Sequence, residues 1–188
     1  MKPLLIILLS LFSINVCADW TLDLAQSAIS FDTTKKETVT ETHYFSDFRA
    51  TVKDNGHAKL IINTASVNTN IDIRDQRLRD LFFKVAEFPE AKITLTVPTH
   101  YLAANANSAS FNTKATIELV GMTYEQDVSL KVHYMKNNMV KVTSVHPVIL
   151  NVASFNLTEG LNTLKDLAGL SSISFDVPVS VALTFTQS

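Results

Sequence analysis

Outside its first 18 residues the chain has no cysteine; the single one, Cys17, ends an apolar N-terminal stretch. The remainder can form no disulfide and offers no thiolate to zinc, so its fold must hold together by burial. Glycine is almost as scarce, at four residues in 188. That leaves no glycine-rich loop to cradle a phosphate and no G-x-S-x-G elbow to present a nucleophilic serine. The five histidines are scattered without HExxH or His-x-Glu-x-His spacing, so the sequence gives no basis for a metal centre. Charge of one sign is also missing: 16 Lys and Arg face 18 Asp and Glu, a net charge of −2. No block of like charge marks a disordered tail or a face for nucleic acid.

The N-terminus carries a secretory signal pattern. Lys2 supplies the positive start, Leu4 to Ile14 is an almost unbroken apolar run, and Val16-Cys17-Ala18 sets small residues before Asp19. The 11-residue run is too short for a bilayer span, which needs about 20 residues. Lipid modification of Cys17 is disfavoured by Val16, which stands where such signals carry a smaller residue. Cleavage before Asp19 leaves 170 residues and removes Lys2 but no acid, giving 15 − 18 = −3. Residues 1–18 are therefore expected to be a signal peptide and 19–188 a single domain with one core.

What the mature chain has in abundance is period-two alternation, the pattern of strands with one dry face. Ile173, Phe175, Val177, Val179, Val181, Leu183 and Phe185 alternate with small or polar residues. The same pattern marks Phe111 to Leu119, Val128 to Tyr134 and Val140 to Val152, and shorter stretches around Trp20, Phe31, Ile62 and Ile93. Asp54-Asn55-Gly56 is a strong hairpin signal, and Asn105 to Ser108, Gly121-Met122-Thr123 and Asn137-Asn138 punctuate later junctions. About eight antiparallel strands follow, with little helix between them. The last run, 13 residues from Ile173 to Phe185, would reach about 40 Å at roughly 3.3 Å per residue. Such length favours a tall barrel over a sandwich, and eight strands enclose just enough space for side chains or one slender ligand.

One stretch breaks the pattern. In Arg74 to Phe83, RDQRLRDLFF, Leu78, Leu81 and Phe82, with Val85 beyond, fall at helical spacing, predicting a short helix over about 75–85. Asp75 with Arg79 and Arg77 with Asp80 are spaced to pair along its wet side. The alternative is functional: Arg74, Arg77 or Arg79 meets a polar headgroup or an anionic membrane surface while Phe82 and Phe83 close the barrel. Glu41 and His43 share one face of a strand, as half of a polar pocket or as ordinary paired neighbours.

Several motifs in order resemble the YceI-like family of periplasmic polyisoprenoid-binding proteins. They are Asp19-Trp20-Thr21-Leu22-Asp23, Thr64-Ala65-Ser66-Val67-Asn68-Thr69, Arg74-Asp75 with Leu78-Arg79 and Phe82-Phe83, Phe88-Pro89, and Gly121-Met122-Thr123. The resemblance spans the mature chain. It implies an all-β, antiparallel, eight-stranded lipocalin-like barrel with a helical segment near one end, located in the periplasm. It also implies a non-enzymatic binder of an isoprenoid lipid or isoprenoid quinone, with no cofactor beyond that ligand. Candidate lining residues are Phe31, Phe45, Phe48, Ile62, Leu78, Phe82, Phe83, Phe88, Ile93, Leu95, Phe111, Phe155, Phe175 and Val177. Arg74, Arg77 and His43 are candidates for the headgroup, with transient contact to a membrane surface and no nucleic-acid partner expected. The oligomeric state stays open, a dimer included.

The chain departs from the family at positions that shape a pocket. His43-Tyr44-Phe45 stands where the family carries Gly-x-Phe, and Ala50 replaces a further glycine. Asn151-Val152 stands for an Asn-Arg pair, and Phe155-Asn156 for Phe-Gly or Trp-Gly. Two other functional classes fit the pattern. An outer-membrane barrel shares the signal peptide and the alternation but would turn its apolar face outward. A redox or stress accessory protein acting on a bound lipid would need Glu41 or His43 for turnover.

Overall fold

The alternation that starts at Trp20 folds as one long strand, β1 (Trp20–Lys35), and the computed structural model describes residues 20–102 and 108–187. The expected signal peptide and most of the Asn105–Ser108 turn lie outside the described residues. Ten further strands follow: β2 (Val39–Phe45), β3 (Phe48–Val52), β4 (His57–Asn63), β5 (Val67–Asn68) and β6 (Glu90–Thr96), then β7 (Ala109–Leu119), β8 (Met122–Met135), β9 (Met139–Ser144), β10 (Val148–Asn151) and β11 (Asp176–Gln187). All strand pairings are antiparallel, and β1 pairs with β11 to close the sheet.

Eleven segments make eight staves. β2 and β3 lie end to end along β1, and β9 and β10 lie end to end along β11, each pair split by a short break. With β4, β6, β7 and β8 completing the ring, the result is a closed eight-stranded antiparallel barrel, and β5 is a short extension beside β2. The register between β1 and β11 slips between Asp23 and Ala28, a bulge that bends the longest strand around the barrel. The last strand is shorter than its alternation suggests: it begins at Asp176, while Ile173 makes only an isolated bridge to Lys35. Pairing with β10 starts at Asp176, and before it only single backbone bonds remain, such as Ser174 N–H to the Thr34 carbonyl at 2.8 Å.

Apolar side chains point inward. Val128, Leu130 and Val132 of β8 are buried in the core, whereas Glu125 and Asp127 meet Lys114 of β7 on the wet outer face at 3.7 and 3.6 Å. That is the reverse of a membrane-spanning barrel, whose outer band is apolar. No helix among the described residues is long and apolar enough to cross a membrane.

The turn chemistry read from the sequence holds at Gly56, with φ +84°. A Cβ there would lie 2.0 Å from the carbonyl oxygen of Val97, so only glycine fits between β3 and β4. The helical segment starts earlier and ends sooner than its apolar stripe suggests. Helix α1 (Asp72–Arg77) runs into one wide turn, Leu78–Phe82, closed by Phe83 N–H donating to the Leu78 carbonyl at 2.8 Å. Neither Asp75–Arg79 nor Arg77–Asp80 pairs. Asp75 instead turns inward, 6% exposed, and accepts from the Thr69 N–H at 2.8 Å and from the Thr69 hydroxyl.

A second helix, α2 (Thr158–Leu167), has no counterpart in the sequence reading. It leans on the wide turn after α1 with Gly160 at the contact, where a Cβ would come within 2.9 Å of the Leu81 carbonyl oxygen. The two helical segments together cover one end of the barrel.

Candidate functional site

The barrel encloses a cavity of about 580 Å³, inside the range of about 300–1,000 Å³ typical of ligand sites. Its two ends differ. At one end Trp20, Tyr101, Phe111 and Phe185 fill the interior, leaving a void of about 30 Å³. The Tyr101 and Phe111 rings stack at 5.1 Å, and the Tyr134 hydroxyl donates to the Tyr101 carbonyl, tying this floor to the loop beneath it. At the other end the wall is completed by Ile71, Ile73, Arg74 and Arg77 of α1 and its approach, and by Leu161 and Leu164 of α2 with Ala168 just past its end. Arg77 Nη1 donates to the Leu167 carbonyl at 3.5 Å across the gap between them. The cavity is thus a blind tube with its mouth beside the helices.

Of the fourteen apolar residues singled out from the sequence, ten line this cavity: Phe31, Phe45, Ile62, Leu78, Phe82, Phe83, Ile93, Leu95, Phe155 and Val177. The other four do not. Phe111 belongs to the floor, and Phe48 packs in the core at 4% exposure. The Phe88 ring lies over Gly121, whose added Cβ would come within 2.9 Å of it. Phe175 is half-buried and packs against the cluster that contains Phe31, Phe82 and Phe83. All three headgroup candidates, Arg74, Arg77 and His43, reach the cavity wall.

Thr51 and Lys59 border the wall toward the floor, but most of its polar groups gather at the mouth because of strand register. Lys35 pairs with Val39, Thr33 with Glu41, Phe31 with His43 and Ile29 with Phe45, and residues so paired share a face. Down β2 this face passes from Val39, 48% exposed, through Glu41 to His43, 3% exposed. Glu41 accepts hydrogen bonds from Lys35 Nζ and from Arg74 Nη1, the latter at 2.6 Å. Arg74 Nη2 donates to the Thr69 carbonyl at 2.8 Å, so one guanidinium fastens α1 to β2 and to the turn before the helix. Hydrogen bonding from Lys35, aided by Arg74, holds the Glu41 carboxyl below its ordinary value of 4.5 despite partial burial.

His43 is the deepest of these groups. Its Nε2 shares a hydrogen bond with Thr33 Oγ1 at 2.9 Å, and its ring meets Phe31 edge-on at 5.3 Å. Nδ1 is buried with no partner, as is Nε of Arg74. Burial, reinforced by the nearby Arg74 cation, holds the imidazole below its ordinary 6.5, outweighing the attraction of Glu41. The unfolded chain therefore takes up this proton first as pH falls. His43 adds to stability fully above pH 6.5 and progressively less below it. Urea titrations at pH 7 and pH 5 are expected to show a smaller acid loss for His43→Leu than for the unaltered chain. An equal or larger loss in the variant would place the acid sensitivity elsewhere.

Among the described residues no three His, Cys, Asp or Glu side chains converge to hold a metal ion. The sequence reading missed Thr33, Lys35, Ile71, Ile73 and the α2 residues of the wall. Leu157, Leu161, Leu164 and Ala168 do recur at helical spacing, and that period was the available signal for the last group.

The fold is shared with known proteins. The model of the YceI-like domain matches residues 20–185. The chain belongs to the YceI-like family. A polyisoprenoid-binding domain from Saccharophagus degradans, implicated in plant cell wall breakdown, is 32% identical, with a TM-score of 0.85 over 90% of this chain and 98% of that one. BcnA of Burkholderia cenocepacia shares the fold at 19% identity and TM-score 0.69, covering 87% of this chain and 98% of its own. The Campylobacter jejuni YceI protein does so at 15% identity and TM-score 0.57, covering 78% and 84%. A comparison with curated proteins finds no match.

His43 and Ala50 both take up space on the cavity wall. Asn156, closing the turn after Phe155, takes the left-handed conformation at φ 56°.

Proposed function

We propose that this YceI-like protein binds an isoprenoid lipid, a polyprenyl chain or an isoprenoid quinone, in its barrel and carries it through the periplasm. The observation that carries the reading is the blind tube, plugged at one end, lined mainly by apolar side chains, and with the Lys35–Glu41–Arg74 cluster at its mouth. Such a shape suits a long hydrocarbon tail with one polar end. The similarity to a polyisoprenoid-binding domain at 32% identity supports the same ligand class. Binding without turnover is part of the proposal, so recovered ligand is expected chemically unchanged.

The energetics favour exchange over release. Each buried CH₂ gains about 0.8 kcal/mol relative to water, so a long isoprenoid would scarcely escape into buffer. The bilayer offers the same gain, which leaves transfer between membrane and barrel nearly balanced. Lipid-free protein mixed with vesicles containing a long-chain polyprenol and then re-isolated is expected to carry the polyprenol in near-equal molar amount. Protein that returns empty while still folded would refute the proposal.

A further inference from the structure

We infer that the rim of the cavity mouth docks on a lipid bilayer through apolar insertion. The inference rests on the isoprenoid-binding reading and deepens it by naming the surface through which ligand enters. Four large apolar side chains with high exposure stand around this end: Val39 at 48%, Ile71 at 47%, Ile73 at 54% and Leu167 at 49%. They come from three separate segments that meet only here. Val39 pairs with the cavity residue Lys35, Arg77 of α1 reaches the Leu167 carbonyl, and Lys36 N–H donates to the Ser172 carbonyl at 3.2 Å.

Ile71 and Ile73 matter most, because each is both cavity wall and outer surface. Apolar surface therefore runs without a break from the interior to the outside. Exposed apolar patches of this kind mark interaction sites, and this one leads into a cavity shaped for a hydrocarbon tail. With the rim seated at the acyl boundary, a lipid tail could pass between bilayer and barrel without crossing water. A protein partner seated here would instead block the tube.

The charges at the rim nearly balance. Lys36, Arg77 and Lys165 stand against Glu37, Asp72 and Asp166, while Lys35 and Arg74 share the one carboxylate of Glu41, a surplus of a single positive charge. Docking then depends on apolar contact, and it is expected to survive high salt and to need no anionic lipid.

Flotation with phosphatidylcholine vesicles, with and without phosphatidylglycerol, tests this on the purified chain. Leu167→Asp and Val39→Asp alter rim residues that are not part of the cavity wall. Each is expected to lower vesicle association and the rate of polyprenol loading from vesicles by about tenfold, the effect of losing roughly 1.4 kcal/mol of docking. Loading of polyprenol delivered from ethanol is expected to stay unchanged. Unaltered flotation and vesicle loading in both variants overturns the docking inference while leaving lipid binding intact. Flotation that vanishes in high salt, or a concentration-dependent dimer abolished by either substitution, assigns the rim to another role and also overturns it. A chain that loads by no route fails the lipid-binding reading, and flotation of the unaltered chain still decides the docking.

Discussion

Ala115→Trp is expected to abolish lipid loading while leaving the barrel closed. Ala115 sits on β7 at 2% exposure and is one of the smallest side chains of the cavity wall. A tryptophan there has only the tube to occupy, and an aromatic side chain buries about 150–250 Å² of surface that a lipid tail would otherwise contact. Bound isoprenoid is expected to fall at least about tenfold, equivalent to losing roughly 1.4 kcal/mol or more of binding. In a close-packed core the same substitution would cost about 1–3 kcal/mol through strain. In a hollow one the cost is smaller, so the thermal midpoint is itself a reading of the empty space. Leu60→Trp, on β4 two strands away around the wall, gives an independent version in case the first variant folds poorly. Full loading in both variants, with folding intact, would mean that the ligand lies elsewhere.

The second large effect is expected at the opposite end. Trp20, 3% exposed, anchors the start of β1, where that strand pairs with β3 and β11. It fills the floor together with Tyr101, Phe111 and Phe185, and only about 30 Å³ is left empty around them. With so little slack the floor cannot relax around a missing indole. Trp20→Ala is expected to cost about 3–5 kcal/mol, the usual range for emptying a large aromatic site. For a domain of this size that lowers the thermal midpoint by roughly 10 °C or more. Calorimetry or thermal circular dichroism reads the shift. A change of only a degree or two would show that the floor is loosely packed and that the tube runs through both ends.

These two experiments separate what the sequence made legible from what it did not. Alternation identified the inward face of nearly every strand, because a sheet with one dry side forces period two on its side chains. It carried no information on height along the barrel. Phe31 and Phe111 alternate alike, yet Phe31 faces the tube and Phe111 plugs its floor. Height follows from register, and register depends on the bulge between Asp23 and Ala28 and on the breaks between β2 and β3 and between β9 and β10. None of these leaves a periodic mark.

The helices show a different limit. α2 hides its apolar stripe behind Thr158, Gly160, Asn162 and Thr163, all weak helix formers, and gains its stability from packing on the turn after α1. In α1 the expected surface pairs gave way to tertiary partners: Thr69 engages Asp75, and the Leu167 carbonyl, 90 residues away in sequence, accepts from Arg77. Pairing at helical spacing is worth only about 0.2–0.5 kcal/mol, so a buried partner easily outcompetes it. His43 was visible as a departure from the family pattern. Its place in the wall, with Nδ1 unpartnered, required the structure.

The central claim is that the tube holds an isoprenoid. The most direct test is mass spectrometry of an organic extract from protein purified in its native form without detergent. The account predicts one isoprenoid lipid in near-equal molar amount with the chain, absent from a parallel extract of Ala115→Trp. Folded, unaltered protein whose extract contains no isoprenoid, or the same trace amount as the filled variant, would contradict it.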